Sequence, residues 1–207
     1  MMDSRNLTVD QLAQQKYRLR LAVANKIDDC RRANRTNTYH RMLFSTEAAD
    51  FEVSPEICVE MTEAKYSPNW YYEGSYQFNR RLFPLVGELK SEGEEYECAV
   101  FLDELDGVKK WVRNLERRPD TSFWLQTSTD KFYPDFVVLL NDGRFLVVEY
   151  KGHDRWSNDD SKEKRAIGEL WEARSNGRCL FIMPDGPDWK AIAAKTRSRP
   201  EEKRGQA

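Results

Sequence analysis

The sequence predicts an α/β layered protein with a helical N-terminal extension, and three patterns carry that prediction. A helix-period stretch opens the chain. Apolar, strand-like runs cluster between residues 122 and 152, and a helical stretch, another apolar run and a closing helix follow them. The order helix, three strands, helix, strand, helix is that of a core in which helices cover a sheet. At 207 residues the chain is long enough for one well-buried core. With 40% hydrophobic and 33% charged residues it has the composition of a strongly charged globular chain, not of a disordered one.

Taken in order, Thr8-Val9-Asp10-Gln11 fits a capping box with Thr8 as N-cap. Leu12, Leu19, Val23 and Ile27 then recur at helical spacing, predicting an amphipathic helix to about Arg32. Residues 43–61 are mixed, with strand-like pieces such as ICVEM, and residues 66–87 are aromatic and turn-rich, predicting short strands and loops. EGEEYECAVFLDEL reads as a helix with Ala99 and Leu102 on one face. Asp106-Gly107 breaks it, and VKKWVRNL reads as the start of a second short helix. SFWLQTS, KFYPDFVVLL and RFLVVEYKG are strand candidates. DDSKEKRAIGELWEARS is a helix with Ile167, Leu170 and Trp171 inward and Gly177 as its C-cap, RCLFIMP is a fourth strand, and DWKAIAAKT a closing helix. The expected divisions are a helical lead-in over residues 1–65, a main domain over 66–195 and a flexible tail over 196–207.

Charge and cysteine usage narrow the function classes. Thirty-three Lys and Arg against 35 Asp and Glu give a net charge of −2, without the basic excess of a free-standing nucleic-acid binder. Basic patches at Arg80-Arg81, Arg113 to Arg118 and from Lys195 onward read as solvated surface. The four cysteines form no CxxC pair, which predicts reduced, buried thiols in a cytoplasmic protein, and two histidines exclude a multi-histidine metal site. No apolar run approaches the roughly 18 residues of a membrane span, so no membrane partner is expected.

The chemistry is concentrated in KFYPDFVVLLNDGRFLVVEYKG, two apolar strands that carry charges at their ends. Side chains alternate along a strand, so Glu149 and Lys151 share a face. A two-residue Asp-Gly turn sets Asp135 opposite Tyr150, whereas a three-residue Asn-Asp-Gly loop sets it opposite Glu149. The longer loop needs a left-handed residue at its last position, which Gly143 supplies, and the second register is favoured. Facing carboxylates repel across a strand pair. A divalent cation relieves that repulsion, and oxygen donors suit Mg²⁺, with Mn²⁺ as substitute. With Lys151 one step along, such a site can direct water at a phosphodiester. The plain alternative is that these charges sit at strand ends and reach solvent.

Pro134-Asp135 together with Glu149-Tyr150-Lys151 resembles the PD-(D/E)XK nuclease motif. Residues 70–185, through their WVRN, FYPDF and EYKG elements, are similar to the C-terminal endonuclease region of type III restriction enzyme Res subunits and related DEAD/DEAH-box helicase proteins. The resemblance implies a restriction-endonuclease-like core with a mixed central sheet flanked by helices, Mg²⁺-dependent cleavage and DNA as substrate. It makes Asp135, Glu149 and the intervening Tyr150 the metal site, and Lys151 the group that positions or activates water. It also implies an acid from the helix before the sheet, with Glu95 the candidate and Glu97 the alternative. A polar residue on the following helix completes the expected set, with Lys164 the candidate beside Lys162. Trp111, Trp70, Tyr71, Tyr72 and Tyr76 are weighed as base-stacking groups, with core packing the commoner role for such residues.

No Walker A sequence and no DEAD/DEAH box occurs in the chain. An ATPase/helicase motor is therefore expected either in a longer chain or as a separate subunit. The rival expectation is a catalytically inactive nuclease-like module that docks a helicase or partner protein.

Overall fold

Strands β1 (Val108–Arg113), β4 (Phe136–Leu140), β5 (Phe145–Val148) and β6 (Cys179–Ile182) form one sheet in the order β1-β4-β5-β6. The structure, a computed structural model, describes residues 16–44, 60–150 and 159–198. β1 pairs antiparallel with β4 and β4 with β5, while β5 and β6 run parallel, so the sheet is mixed. A small antiparallel hairpin, β2 (Leu125–Gln126) with β3 (Lys131–Phe132), precedes β4.

The chain divides into two compact units, Met1–Asp50 and Phe51–Ala207. In the first, helix α1 (Lys16–Phe44) continues well past Arg32, where the apolar spacing fades. Leu19, Val23 and Ile27 are 46%, 48% and 45% exposed, so the stripe that predicted an amphipathic helix is uncovered. Thr8 and Leu12 lie outside the described residues.

In the second unit, α2 (Glu94–Glu104) buries Cys98, Ala99 and Leu102 against Trp111, Phe136, Val138, Leu146 and Val148. Ile192 of α4 (Trp189–Arg197) joins the same cluster, and Asp188 caps α4 by accepting the Ala191 N–H at 2.9 Å. On the other face α3 (Asp159–Arg174) packs against β6 so closely that a Cβ on Gly168 would come within 2.4 Å of the Phe181 ring. The result is a sheet covered on both faces.

Residues 108–113 overturn the expectation of a second short helix: VKKWVR is strand β1. Val108, Trp111, Val112 and Leu115 do fall at helical spacing, but that spacing arises for another reason. β1 is covered on both sides, so Trp111, Val112 and Arg113 are buried in succession, and a bulge between Val108 and Lys110 shifts the alternation. KFYPDFVVLL is likewise two strands, interrupted at Tyr133-Pro134-Asp135, because Pro134 has no N–H for a ladder. SFWLQTS contributes only the two residues of β2. Residues 66–87 are loops joined by isolated bridges, Tyr71 with Gly87 and Arg81 with Trp111. Among the cysteines, Cys98 is buried as expected, whereas Cys30 is exposed and Cys179 half-buried.

Candidate active site at the end of the sheet

The β4–β5 hairpin has the three-residue loop. The Leu140 N–H donates to the Arg144 carbonyl at 2.9 Å, the Gly143 N–H donates to the Leu140 carbonyl at 3.1 Å, and Gly143 takes a φ of +87°. The ladder pairs Phe136 with Val148, Val137 with Val147 and Val138 with Leu146. One position beyond the first of these pairs, Asp135 stands across from Glu149. Both are buried, at 9% and 4% exposure. The Tyr150 ring packs in the core and stacks on Trp189 at 6.1 Å. The Tyr150 main-chain N–H donates to Asp135 Oδ2 at 2.7 Å.

Two consecutive residues at the end of β1 fix Asp135. Asn114 donates its main-chain N–H to the Asp135 carbonyl at 2.9 Å. Its side-chain amide donates to the carbonyls of Pro134 and Phe123, both at 2.8 Å, and accepts the Phe123 N–H at 2.9 Å. Arg113 donates from Nη1 to the Asp135 carbonyl at 2.8 Å and to Asp135 Oδ1 at 2.9 Å, and from Nη2 to Glu95 Oε2 at 2.8 Å. The guanidinium also lies 5.3 Å from the Phe136 ring centroid. Arg113 is 8% exposed, so the expectation of a solvated basic patch from Arg113 to Arg118 fails at its first member.

Electrostatics follow from this packing. Burial opposes the charge on Arg113, but Asp135 and Glu95, with Glu149 adding to them, raise its pKa above the usual arginine value. Glu95 is drawn two ways. Loss of solvent raises its pKa, Arg113 lowers it, Asp135 raises it again, and the net direction is upward. The buried Cys98 thiol is pushed up by desolvation and by the Asp135 charge. Arg113 Nε is buried with no hydrogen-bond partner among the described residues, which costs on the order of 1–3 kcal/mol.

The expected site residues are thus distributed unevenly. Asp135 and Glu149 occupy the positions just beyond the Phe136–Val148 pair of the β4–β5 ladder. Glu95, at the first turn of α2, enters the cluster through Arg113. Glu97 is exposed, and its charge acts instead on the Tyr150 phenol, whose pKa burial pushes up to about 12. Lys164 is committed to Asp160 at 2.8 Å and rests 5.4 Å from the Phe132 ring centroid, while Lys162 is exposed. Lys151 and His153 lie outside the described residues. Trp111 is a core residue at 1% exposure, its indole N–H donating to the buried Asp103 at 2.9 Å, which removes it from the stacking candidates. Tyr72 and Tyr76 pack against the core beside Phe78, whereas Trp70 and Tyr71 are exposed.

Among the described residues, no group of three or more His, Cys, Asp or Glu side chains is placed to hold a metal ion. The Asp135 and Glu149 carboxylates and the Tyr150 carbonyl are nevertheless hard oxygen donors of the type Mg²⁺ takes, because Mg²⁺ keeps several waters and needs only one or two carboxylates from protein. Sequence reasoning missed Arg113 and Asn114. The available signal was the strand character of VKKWVR, which places both residues at a strand end beside Pro134-Asp135. Among the described residues no helix is long and apolar enough to cross a membrane. No family model, curated protein or solved structure matches the chain.

Proposed function

We propose that this chain is a Mg²⁺-dependent DNA endonuclease domain that works with an ATPase/helicase motor in a restriction or phage-defence system of the cytoplasm. The observation that carries the proposal is the hairpin register, which sets Asp135 across from Glu149; the sequence supplies a lysine, Lys151, two residues further on. The element order supports a restriction-endonuclease-like core: helix α2, antiparallel β1, β4 and β5, helix α3, then β6 parallel to β5.

Asp135, Glu149 and the Tyr150 carbonyl would hold the ion. When bound, the ion supplies charge neutralisation at the phosphate and acidifies water. Asp135 is aimed by Arg113 Nη1 and the Tyr150 N–H, so it need not reorganise to bind a cation. In this reading the Lys151 ammonium orients the attacking water and offsets negative charge developing on the phosphoryl oxygens. Burial of both carboxylates excludes competing solvent.

Cleavage of supercoiled plasmid in Mg²⁺ by wild type and by Lys151→Ala tests the assignment. Cutting by wild type and at most residual cutting by the variant is expected; equal cutting by both defeats it.

One observation favours a second reading, an inactive nuclease-like module that docks a helicase or partner protein. Arg113 bridges Glu95 and Asp135 at 2.8 and 2.9 Å, so a side chain already meets part of the carboxylate charge. That module would bind no divalent ion through Asp135 and Glu149.

A further inference from the structure

Arg113 lies in the WVRN stretch and is given no role by the resemblance, yet it is joined to Asp135 at two points. Its Nη1 holds both the carbonyl and Oδ1 of Asp135, and its Nη2 reaches Glu95. Only one carboxylate oxygen of Asp135 takes the guanidinium; the other takes the Tyr150 N–H. Carboxylate oxygens have two lone-pair directions each, so both retain acceptor capacity after these bonds are made. The carboxylate is oriented without being used up.

Structure alone does not call for an arginine here. The position is 8% exposed, next to Trp111, Val112 and Phe136, and its Nε has no partner among the described residues. A buried ion pair with an orphaned donor is commonly matched or bettered in stability by apolar side chains of similar volume. Glu95, by contrast, has a side chain 49% exposed and contacts the buried set through Arg113 Nη2. Its carboxylate is thus placed to hold the guanidinium.

We propose that Arg113 is the positioning residue of the cleavage site, holding the Asp135 carboxylate while Glu95 holds Arg113, so that Glu95 acts through the guanidinium and not on the metal ion. The inference rests on the endonuclease reading and assigns within it a role that the motif residues do not contain. It makes Glu95 and Arg113 a series connection: loosening Arg113 removes whatever Glu95 contributes.

The test uses the full chain, with plasmid cleavage in Mg²⁺, calorimetry with Mn²⁺ alone, and urea unfolding. Arg113→Lys keeps the charge and loses the forked geometry; Glu95→Gln keeps the shape and loses the charge. Arg113→Lys should lower kcat about 10- to 100-fold, the range for loss of a group that orients a ligand, with KM for DNA unchanged. Glu95→Gln should lower kcat less and leave Mn²⁺ binding intact. The double variant should be no slower than Arg113→Lys, because residues acting through one another are not additive. Rescue of Arg113→Ala by added guanidine would support the same role, and covers the event that Arg113→Lys unfolds. Loss of Mn²⁺ binding in Glu95→Gln would make Glu95 a ligand and overturn the proposal. So would multiplicative losses in the double variant, or wild-type kcat in Arg113→Lys. A wild-type chain that neither binds Mn²⁺ nor cuts DNA removes the endonuclease reading, and this role with it. A wild type that cuts as fast as Arg113→Lys removes the Arg113 role alone.

Discussion

Arg113 and Asp135 are joined twice by one guanidinium nitrogen, to the main-chain oxygen at 2.8 Å and to the carboxylate at 2.9 Å. The pair ties the end of β1 to the start of β4 at the point where the ladder stops and the candidate site begins. Its partners are 9% and 12% exposed in their side chains, so the interaction is buried and weakly screened.

Removing one partner leaves the other charge buried. Arg113→Met should therefore destabilise the chain by about 3–5 kcal/mol. The double variant Arg113→Met/Asp135→Leu should recover part of that loss, because both charges are then gone. Urea unfolding of the two singles and the double gives the coupling directly. A double variant less stable than Arg113→Met would show that the pair does not set the cost.

The hairpin loop depends on Gly143. Its φ is +87° and an added Cβ would meet nothing within 4 Å, so a substitution there is strained by the backbone alone. Gly143→Ala should cost about 1–2 kcal/mol, and Gly143→Asn distinctly less, since asparagine tolerates the left-handed region. Equal unfolding midpoints for wild type and Gly143→Ala would contradict this.

Much of the fold around the site was legible because local signals and packing agree. The three-residue loop followed from Gly143, and the register followed from the loop, which is why Asp135 and Glu149 could be paired from residues alone. Helix α2 was visible because Ala99 and Leu102 lie on one buried face. β1 was not visible. A strand buried on both sides loses its alternation, and its bulge left Val108, Trp111 and Val112 at helical spacing. With β1 misread, Arg113 looked like one of several surface cations. Its partner Asp135 lies far along the chain, and only the β1–β4 pairing brings the two together. Glu95 was legible as an acid on the right helix, but its attachment through Arg113 was not.

Gly168 is tight against β6. A Cβ there would approach the Phe181 ring to 2.4 Å at Cδ1 and Cε1 and 2.5 Å at Cγ, so the ring must move as a whole. Gly168→Ala should destabilise by about 1–3 kcal/mol despite the better helix propensity of alanine. A raised thermal midpoint for this variant would show that Phe181 yields freely.

Tyr66 links the loop region to the site strand, donating its hydroxyl to the Arg113 carbonyl at 3.2 Å and accepting the Gly87 N–H at 2.9 Å. Burial pushes its pKa from 10.0 up to about 12, against the opposing effects of the Gly87 N–H and Arg113. The folded chain therefore keeps a proton that the unfolded chain releases. This contribution is fully present below pH 10 and is lost as pH rises from 10 towards 12. It amounts to about 2–3 kcal/mol. Unfolding measured across that window should show the loss in wild type and a shallower slope in Tyr66→Phe. Parallel slopes would assign the titration elsewhere.

The most direct measurement is calorimetric titration of the chain with Mn²⁺, in wild type, Asp135→Asn and Glu149→Gln. A single bound ion that disappears in each variant is the result expected of two carboxylates sharing one cation. Heat of binding that survives both substitutions, or none in the wild type, would contradict it.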